Sequence, residues 1–147
     1  MTTVPLLREA TSSDAGAVAT LLGELGYPCT REEALARIKV MIADDTMDLV
    51  VVDVHGDIRG LYSLDFMFYL PFGRLSCRIT SLVVAPAHRQ AGIGRLMLKD
   101  AESRAMRRGA ARVEVTSAEH REEAHTFYRR CGYVDASLRF VKRLGNA

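Results

Sequence analysis

The sequence predicts an α/β domain of the α+β kind, with a mixed, mostly antiparallel central sheet and helices on both faces. Three observations predict it. Two amphipathic helical stretches precede a run of β-branched segments. A proline stop and a glycine-bearing turn, Pro86 to Gly94, separate one of those segments from a long helical pattern. Strand and helix patterns then alternate to the end, so the order reads β-α-α-β-β-β-α-β-α-β-β. A length of 147 residues fits one domain, 1–147, with a sizeable core.

Leu6-Leu7-Arg8-Glu9 reads as a short first strand. Thr11-Ser12-Ser13-Asp14 has the form of a capping box, a hydroxyl at the N-cap and a carboxylate three residues on. Ala15, Val18, Leu21, Leu22 and Leu25 recur at helical spacing, and Gly26-Tyr27-Pro28 ends that helix. Thr30-Arg31-Glu32-Glu33 repeats the capping pattern ahead of Leu35, Ile38, Met41 and Ile42. Leu49 to Val54 is continuous and β-branched, as a buried strand should be. His55-Gly56-Asp57 is a tight hairpin connection, and Ile58 to Phe68 is the return strand. Tyr69 to Gly73 is an apolar loop, readable equally as sheet packing or as a substrate-site wall. Leu75 to Val84 is a strand that Pro86 stops. From Ile93 a helix presents Leu96, Met97, Ala101, Ala105 and Met106 inward, and Gly109 caps it. Arg112 to Thr116 is a strand, and Glu122 to about Cys131 a helix closed by Gly132. Tyr133-Val134 and Phe140 to Leu144 are expected to close the chain as strands.

Composition narrows the function classes. Hydrophobic residues make up 48% and charged residues 26%, with a net charge of +2 from 20 basic and 18 acidic residues. That balance does not suggest a nucleic-acid binder, and no long apolar run suggests a membrane span. Cys29, Cys77 and Cys131 are widely spaced, which fits reduced thiols in a cytoplasmic protein rather than a disulfide framework. The histidines, His55, His88, His120 and His125, show no convincing ligand spacing, so no metal is expected.

The turn Arg89-Gln90-Ala91-Gly92-Ile93-Gly94 carries the chemistry. A helix beginning near Gly92 leaves its first N–H groups without partners, at the positive end of the helix dipole. An anion is stabilised there, and glycines let phosphate oxygens approach the backbone. Arg89 and Arg95 add formal charge. A Walker A loop fails because Gly94-Arg95-Leu96 replaces G-K-[ST]. A Rossmann fingerprint fails because Met97 stands where a third small residue is needed. Two spaced glycines alone would be no more than a loop; the arginine three residues ahead, the preceding Val-Val-Ala-Pro and the long following helix favour a ligand.

The turn resembles the R/Q-x-x-G-x-G/A signature of the GNAT superfamily of acyl-CoA-dependent N-acetyltransferases. Leu82-Val83-Val84-Ala85-Pro86 resembles that family's fourth strand, and Ala124 to Tyr133 (AHTFYRRCGY) its A-x-x-F-Y-x-x-x-G-F/Y motif. The resemblance implies acetyl-CoA as cosubstrate. Leu82, Val83 and Val84 would meet the pantetheine arm where the fourth and fifth strands part, with the Val83 N–H polarising the acetyl carbonyl. Arg89, Gln90, Ala91, Gly92, Ile93, Gly94 and Arg95 would hold the pyrophosphate, with Ala124 and Phe127 also on the cofactor side. Tyr128 would protonate the leaving thiolate, a role a phenol can fill, while N–H donors stabilise the oxyanion of the attacked thioester.

The family's asparagine after the fifth strand is absent; Ser117 or His120 is its substitute by position, and helix capping is the other reading of Ser117. Arg78 stands where some relatives carry a basic carboxylate and cannot serve as one. Asp65, Glu24, Glu119 and His120 are candidates for a general base by type alone. The acceptor is expected between the connection of the first two helices and the sheet opening, with Tyr27, Cys29, Tyr62 and Phe68 readable equally as lining residues or as structural packing. The implied activity is acetyl transfer to a primary amine, of a small molecule or a protein, by direct attack in a ternary complex. Transfer to a protein lysine or N-terminus, transfer of longer acyl chains, and a non-catalytic acyl-CoA sensor are its alternatives. Edges such as Phe140–Leu144 suggest a homodimer.

Overall fold

Leu6–Glu9 (β1), Met47–Val54 (β2), Asp57–Tyr69 (β3), Arg74–Val84 (β4) and Val113–Val115 (β5) form one sheet, in that order across it. The structure is a computed structural model that describes residues 4–116, 122–136 and 139–145. The chain divides into two compact units, Met1–Thr116 and Ser117–Ala147. β1 to β4 pair antiparallel as a meander. β5 returns parallel to β4, which requires a crossover, and Ile93–Arg107 (α3) supplies it.

Ala15–Leu25 (α1) and Arg31–Ile42 (α2) pack on one face. Ala15, Val18 and Leu21 of α1 and Ala34 and Ile38 of α2 meet Val51, Leu61 and Val83 of the sheet. α3 covers the other face. Tyr62, one residue from Leu61, points oppositely and donates its hydroxyl to Asp100 of α3. Arg104 holds that carboxylate at 2.9 Å, and burial pushes the Tyr62 phenol well above its usual range. Gly60 lies on the same face. A Cβ there would stand 3.0 Å from the Val83 carbonyl oxygen, 3.3 Å from Met97 Sδ and 3.4 Å from Ile93 Cγ2. The absence of a side chain lets α3 seat on β3 and β4.

The capping patterns take the predicted places. Glu33 N–H donates to Thr30 Oγ1 at 3.0 Å, and Thr30 N–H to Glu33 Oε1 at 2.9 Å. Before α1, Ser12–Asp14 forms a 3₁₀ turn in which Thr11 N–H donates to Asp14 Oδ2 at 2.7 Å. Asp14 is buried and takes a bidentate pair from Arg8, 2.9 and 3.0 Å, while Arg8 Nε also reaches Asp53 at 3.0 Å. The Arg8 guanidinium holds the Asp14 carboxyl below the usual carboxylate range. A depressed pKa stabilises the fold above the unfolded value, about 4, and that contribution is lost as pH falls through the folded value. Asp14→Asn is therefore expected to cost about 1–3 kcal/mol at pH 7. Urea unfolding at pH 7 and pH 3 checks this: the gap to wild type should narrow at the lower pH.

His55 and Gly56 take φ of 52° and 85°, so the predicted hairpin is a two-residue turn with both central residues left-handed. The apolar loop after β3 includes a 3₁₀ turn, Leu70–Phe72. Its rings serve packing: Arg112 lies 4.8 Å from the Tyr69 ring centroid and 4.9 Å from that of Phe72. Among the described residues no helix is long and apolar enough to cross a membrane.

In the second unit, Glu122–Arg130 (α4) ends at Gly132, with φ 93°. The closing strands differ from expectation. Neither Tyr133-Val134 nor residues 140–144 form strands. Val134, Phe140 and Leu144 are 86%, 89% and 77% exposed, and the described residues of this stretch carry no strand pairing. The strand edge that suggested a homodimer is thereby removed.

Candidate active site

The site is built where β4 loses its neighbour. β4 pairs with β5 only through Cys77–Val113, Arg78–Glu114 and Ile79–Val115. On its other side, Leu64 opposes Ile79 and Ser63 opposes Ser81, leaving Thr80 as an extra residue. Such a bulge bends a strand and raises its twist. It begins one residue past the last β5 pair, so the bend and the parting coincide. Hydroxyls pin it: Ser63 Oγ lies 2.6 Å from Thr80 Oγ1 and also bonds Ser81 Oγ.

Beyond the bulge, hydrogen-bond phase decides which backbone groups face the opening. Ala85 N–H donates to the Arg59 carbonyl at 2.8 Å. The register then makes Val83–Leu61 the next hydrogen-bonded pair and leaves Leu82–Tyr62 and Val84–Gly60 as non-bonded pairs. The Val83 N–H thus points at β3. The N–H and carbonyl groups of Leu82 and Val84 point the other way, where no strand lies among the described residues. Arg89 Nε turns back onto one of them, donating to the Val84 carbonyl at 3.4 Å. The Val83 side chain is buried in the core beneath α1 and α2.

The turn into α3 follows. Pro86–His88 is a 3₁₀ turn, Arg89 is extended, and Gln90 and Gly92 take positive φ of 65° and 82°. Gly92 is the N-cap, and no side chain caps the helix. Leu96 N–H donates to the Gly92 carbonyl at 3.0 Å. The N–H groups of Ile93, Gly94 and Arg95 therefore have no carbonyl one turn earlier. A Cβ at Gly92 would meet nothing within 4 Å, so its backbone conformation is what demands glycine. Gln90, Ala91, Gly92 and Arg95 are exposed, whereas the Ile93 side chain is buried. A diphosphate fits this turn: free helix N–H groups, an uncovered backbone and two arginines, with no acidic residue in the first turn.

In the second unit, Ala124, Phe127 and Tyr128 are half-buried on α4. The Tyr128 ring lies 5.5 Å from that of Phe127 and 6.1 Å from that of Tyr133, between centroids. Tyr133 N–H donates to the Tyr128 carbonyl at 3.0 Å, which closes the helix around Gly132. Ser117, Glu119 and His120 lie outside the described residues.

A cavity of about 680 Å³ opens between α1, α2 and the bulge of β4. Tyr27 lines it, as expected. The other expected lining residues do not: Tyr62 is buried under α3, Phe68 is 62% exposed, and Cys29 packs against the core. Arg37, Ser63, Thr80 and Ser81 line it instead. Sequence reasoning missed all four, although the hydroxyl pair Thr80-Ser81 inside an apolar strand was a usable signal. No Asp, Glu or His lines the cavity among the described residues. Glu24 is exposed, Asp65 pairs across the sheet with Arg78, and Arg78 bonds Glu114 at 2.8 Å. Cys77 is buried, and burial pushes its thiol up to about 12, so it is no thiolate nucleophile near neutrality.

Comparison with known proteins identifies the family. Residues 19–133 match the Acetyltransferase (GNAT) family. The chain is 32% identical to an aminoalkylphosphonate N-acetyltransferase of Salmonella typhimurium, over 94% of this chain and 90% of the relative. A Trypanosoma brucei acetyltransferase superposes with a TM-score of 0.81 at 26% identity, over 96% of this chain and all (100%) of the other. A GNAT family acetyltransferase of Staphylococcus aureus has a TM-score of 0.83 at 23% identity, over 97% and 100%. The chain belongs to the GNAT acetyltransferase family and is an acyl-CoA-dependent N-acetyltransferase.

Proposed function

We propose that residues 1–147 act as a single N-acetyltransferase domain that moves the acetyl group of acetyl-CoA directly to a small primary amine bound with it in a ternary complex. The observation that carries this reading is the bulge at Thr80. It opens one edge of β4 beside a cavity and ahead of an anion-binding helix start. The family match, residues 19–133, runs through both units of the chain.

The helix-start N–H groups of Ile93, Gly94 and Arg95, with Arg89, Gln90, Ala91 and Gly92, hold the pyrophosphate. Leu82 and Val84 offer backbone groups to the pantetheine arm. One of their N–H groups polarises the acetyl carbonyl, in place of the Val83 N–H, which the register commits to Leu61. Tyr128 protonates the leaving thiolate; Ala124 and Phe127, on the same helix, belong to the cofactor side. With no carboxylate or histidine lining the cavity among the described residues, the amine loses its proton to water, passed along the hydroxyls of Ser63, Thr80 and Ser81. That amine attacks the thioester carbonyl directly, and coenzyme A leaves as the thiol once Tyr128 has given its proton.

A cavity of about 680 Å³ suits a small acceptor. The name of the Salmonella relative makes aminoalkylphosphonates the first class to test. Initial rates of coenzyme A release, with acetyl-CoA and the amine both varied, decide the order of events. Intersecting double-reciprocal lines are expected. Parallel lines would mean an acetylated enzyme and overturn direct transfer.

A further inference from the structure

We infer that Arg37 selects the acceptor: the amine this enzyme takes carries an anionic group, a phosphonate, phosphate or carboxylate, and Arg37 binds it. The inference rests on the acceptor reading of the cavity between α1, α2 and β4.

The cavity's charge is one-sided. Arg37 is the sole formally charged residue that lines it among the described residues. The rest of the wall is apolar, from Val18, Leu22, Met41 and Leu61 for example, apart from Tyr27 and three hydroxyls. Arg37 is exposed while lining the cavity, so a ligand can reach it from solvent. It enters none of the ion pairs among the described residues. The nearest carboxylate on its own helix, Glu33, one turn earlier, is committed elsewhere. It accepts from Thr30 N–H at 2.9 Å in the capping box, and that bond, more than the Arg37 charge, lowers its pKa. The Arg37 fork is therefore available for a bidentate bond to an oxyanion.

The hydroxyl-bearing part of the wall is neutral and polar. Ser63, Thr80 and Ser81 stand at the bulge, beside the opened edge of β4 where the acetyl group must be attacked. An amine placed there has lone-pair acceptors and no cation beside it. The cavity wall thus offers hydroxyls for the amine and one cation for the tail. A tail bearing a second ammonium would meet Arg37 with no carboxylate to offset it, which selects against polyamines.

The test compares 2-aminoethylphosphonate, ethanolamine and spermidine as acceptors, with wild type, Arg37→Met and Arg37→Lys. Wild type should favour the phosphonate in kcat/KM by roughly tenfold or more over ethanolamine, with spermidine last. Arg37→Met should cut the phosphonate-to-ethanolamine ratio by roughly tenfold to a hundredfold, mainly through KM, and Arg37→Lys should restore part of it. A wild-type preference for ethanolamine or spermidine, or a ratio unmoved by Arg37→Met, overturns the inference and leaves the acetyltransferase reading intact. Calorimetric titration of 2-aminoethylphosphonate, with acetyl-CoA binding as the check on folding, decides the matter even if no amine turns over. Binding that Arg37→Met weakens supports the role of Arg37 while the catalytic reading falls. Absent binding, or equal binding, overturns it.

Discussion

Tyr128→Phe is expected to lower kcat by about a hundredfold, the scale of a lost general acid, with acetyl-CoA affinity within about twofold of wild type. On the proposed role the phenol gives its proton as the carbon–sulfur bond breaks, so its loss belongs in kcat more than in donor binding. Packing should survive, since Tyr128 meets Phe127 and Tyr133 through its ring and phenylalanine keeps the ring. Steady-state kinetics beside calorimetric acetyl-CoA binding separate the two quantities. A variant that turns over like wild type would remove Tyr128 from the proton path. One that loses donor affinity in proportion to kcat would make it a binding residue instead.

Gly60→Val is expected to destabilise the fold by about 2–3 kcal/mol and to weaken acetyl-CoA binding with it. The nearest obstacle to a Cβ is a backbone oxygen, that of Val83, at 3.0 Å, and it cannot swing aside as a side-chain tip can. The next, Met97 Sδ and Ile93 Cγ2, belong to α3, so a branched side chain presses on the start of that helix as well as on β4. Both carry backbone groups assigned to acetyl-CoA, so the strain reaches its binding. Urea unfolding and calorimetry on the same preparations check both halves. Gly23→Ala, where a Cβ would meet nothing within 4 Å, serves as the control and should lose neither stability nor affinity. Wild-type stability in Gly60→Val would mean that α3 does not depend on that close approach.

Much of the first unit was legible because its signals are local. The change from helical spacing to β-branched runs near Leu49, the box at Thr30 and Glu33, and the stop at Pro86 each act within a few residues. The glycine turn was legible for the same reason. The bulge was not, because an extra residue at Thr80 exists only relative to Ser63 and Leu64, in a strand with which β4 pairs over a long hairpin. The direction of the Val83 N–H depends on hydrogen-bond phase, which side-chain patterning does not encode. Arg37 reads in sequence as one more solvated residue of an amphipathic helix; only the packing of α1 and α2 on the sheet makes it part of a cavity wall. The left-handed Gln90 carries no sequence signal at all, since glutamine rarely adopts positive φ. At the other end of the chain, Phe140 and Val141 read as strand but are 89% and 69% exposed. Alternation states what a segment could pair with, and a partner must still be there.

The central claim is that acetyl-CoA lies along the opened edge of β4 and on the first turn of α3. Amide chemical shifts of the nitrogen-15-labelled protein, followed through an acetyl-CoA titration, test it residue by residue. The largest shifts are expected at the N–H groups of Leu82, Val84 and Gly92 through Arg95, with Val83 moving less because its N–H is bonded to β3. Saturable binding that leaves those amides unmoved, or that moves Val83 while Leu82 and Val84 stay still, would contradict the account.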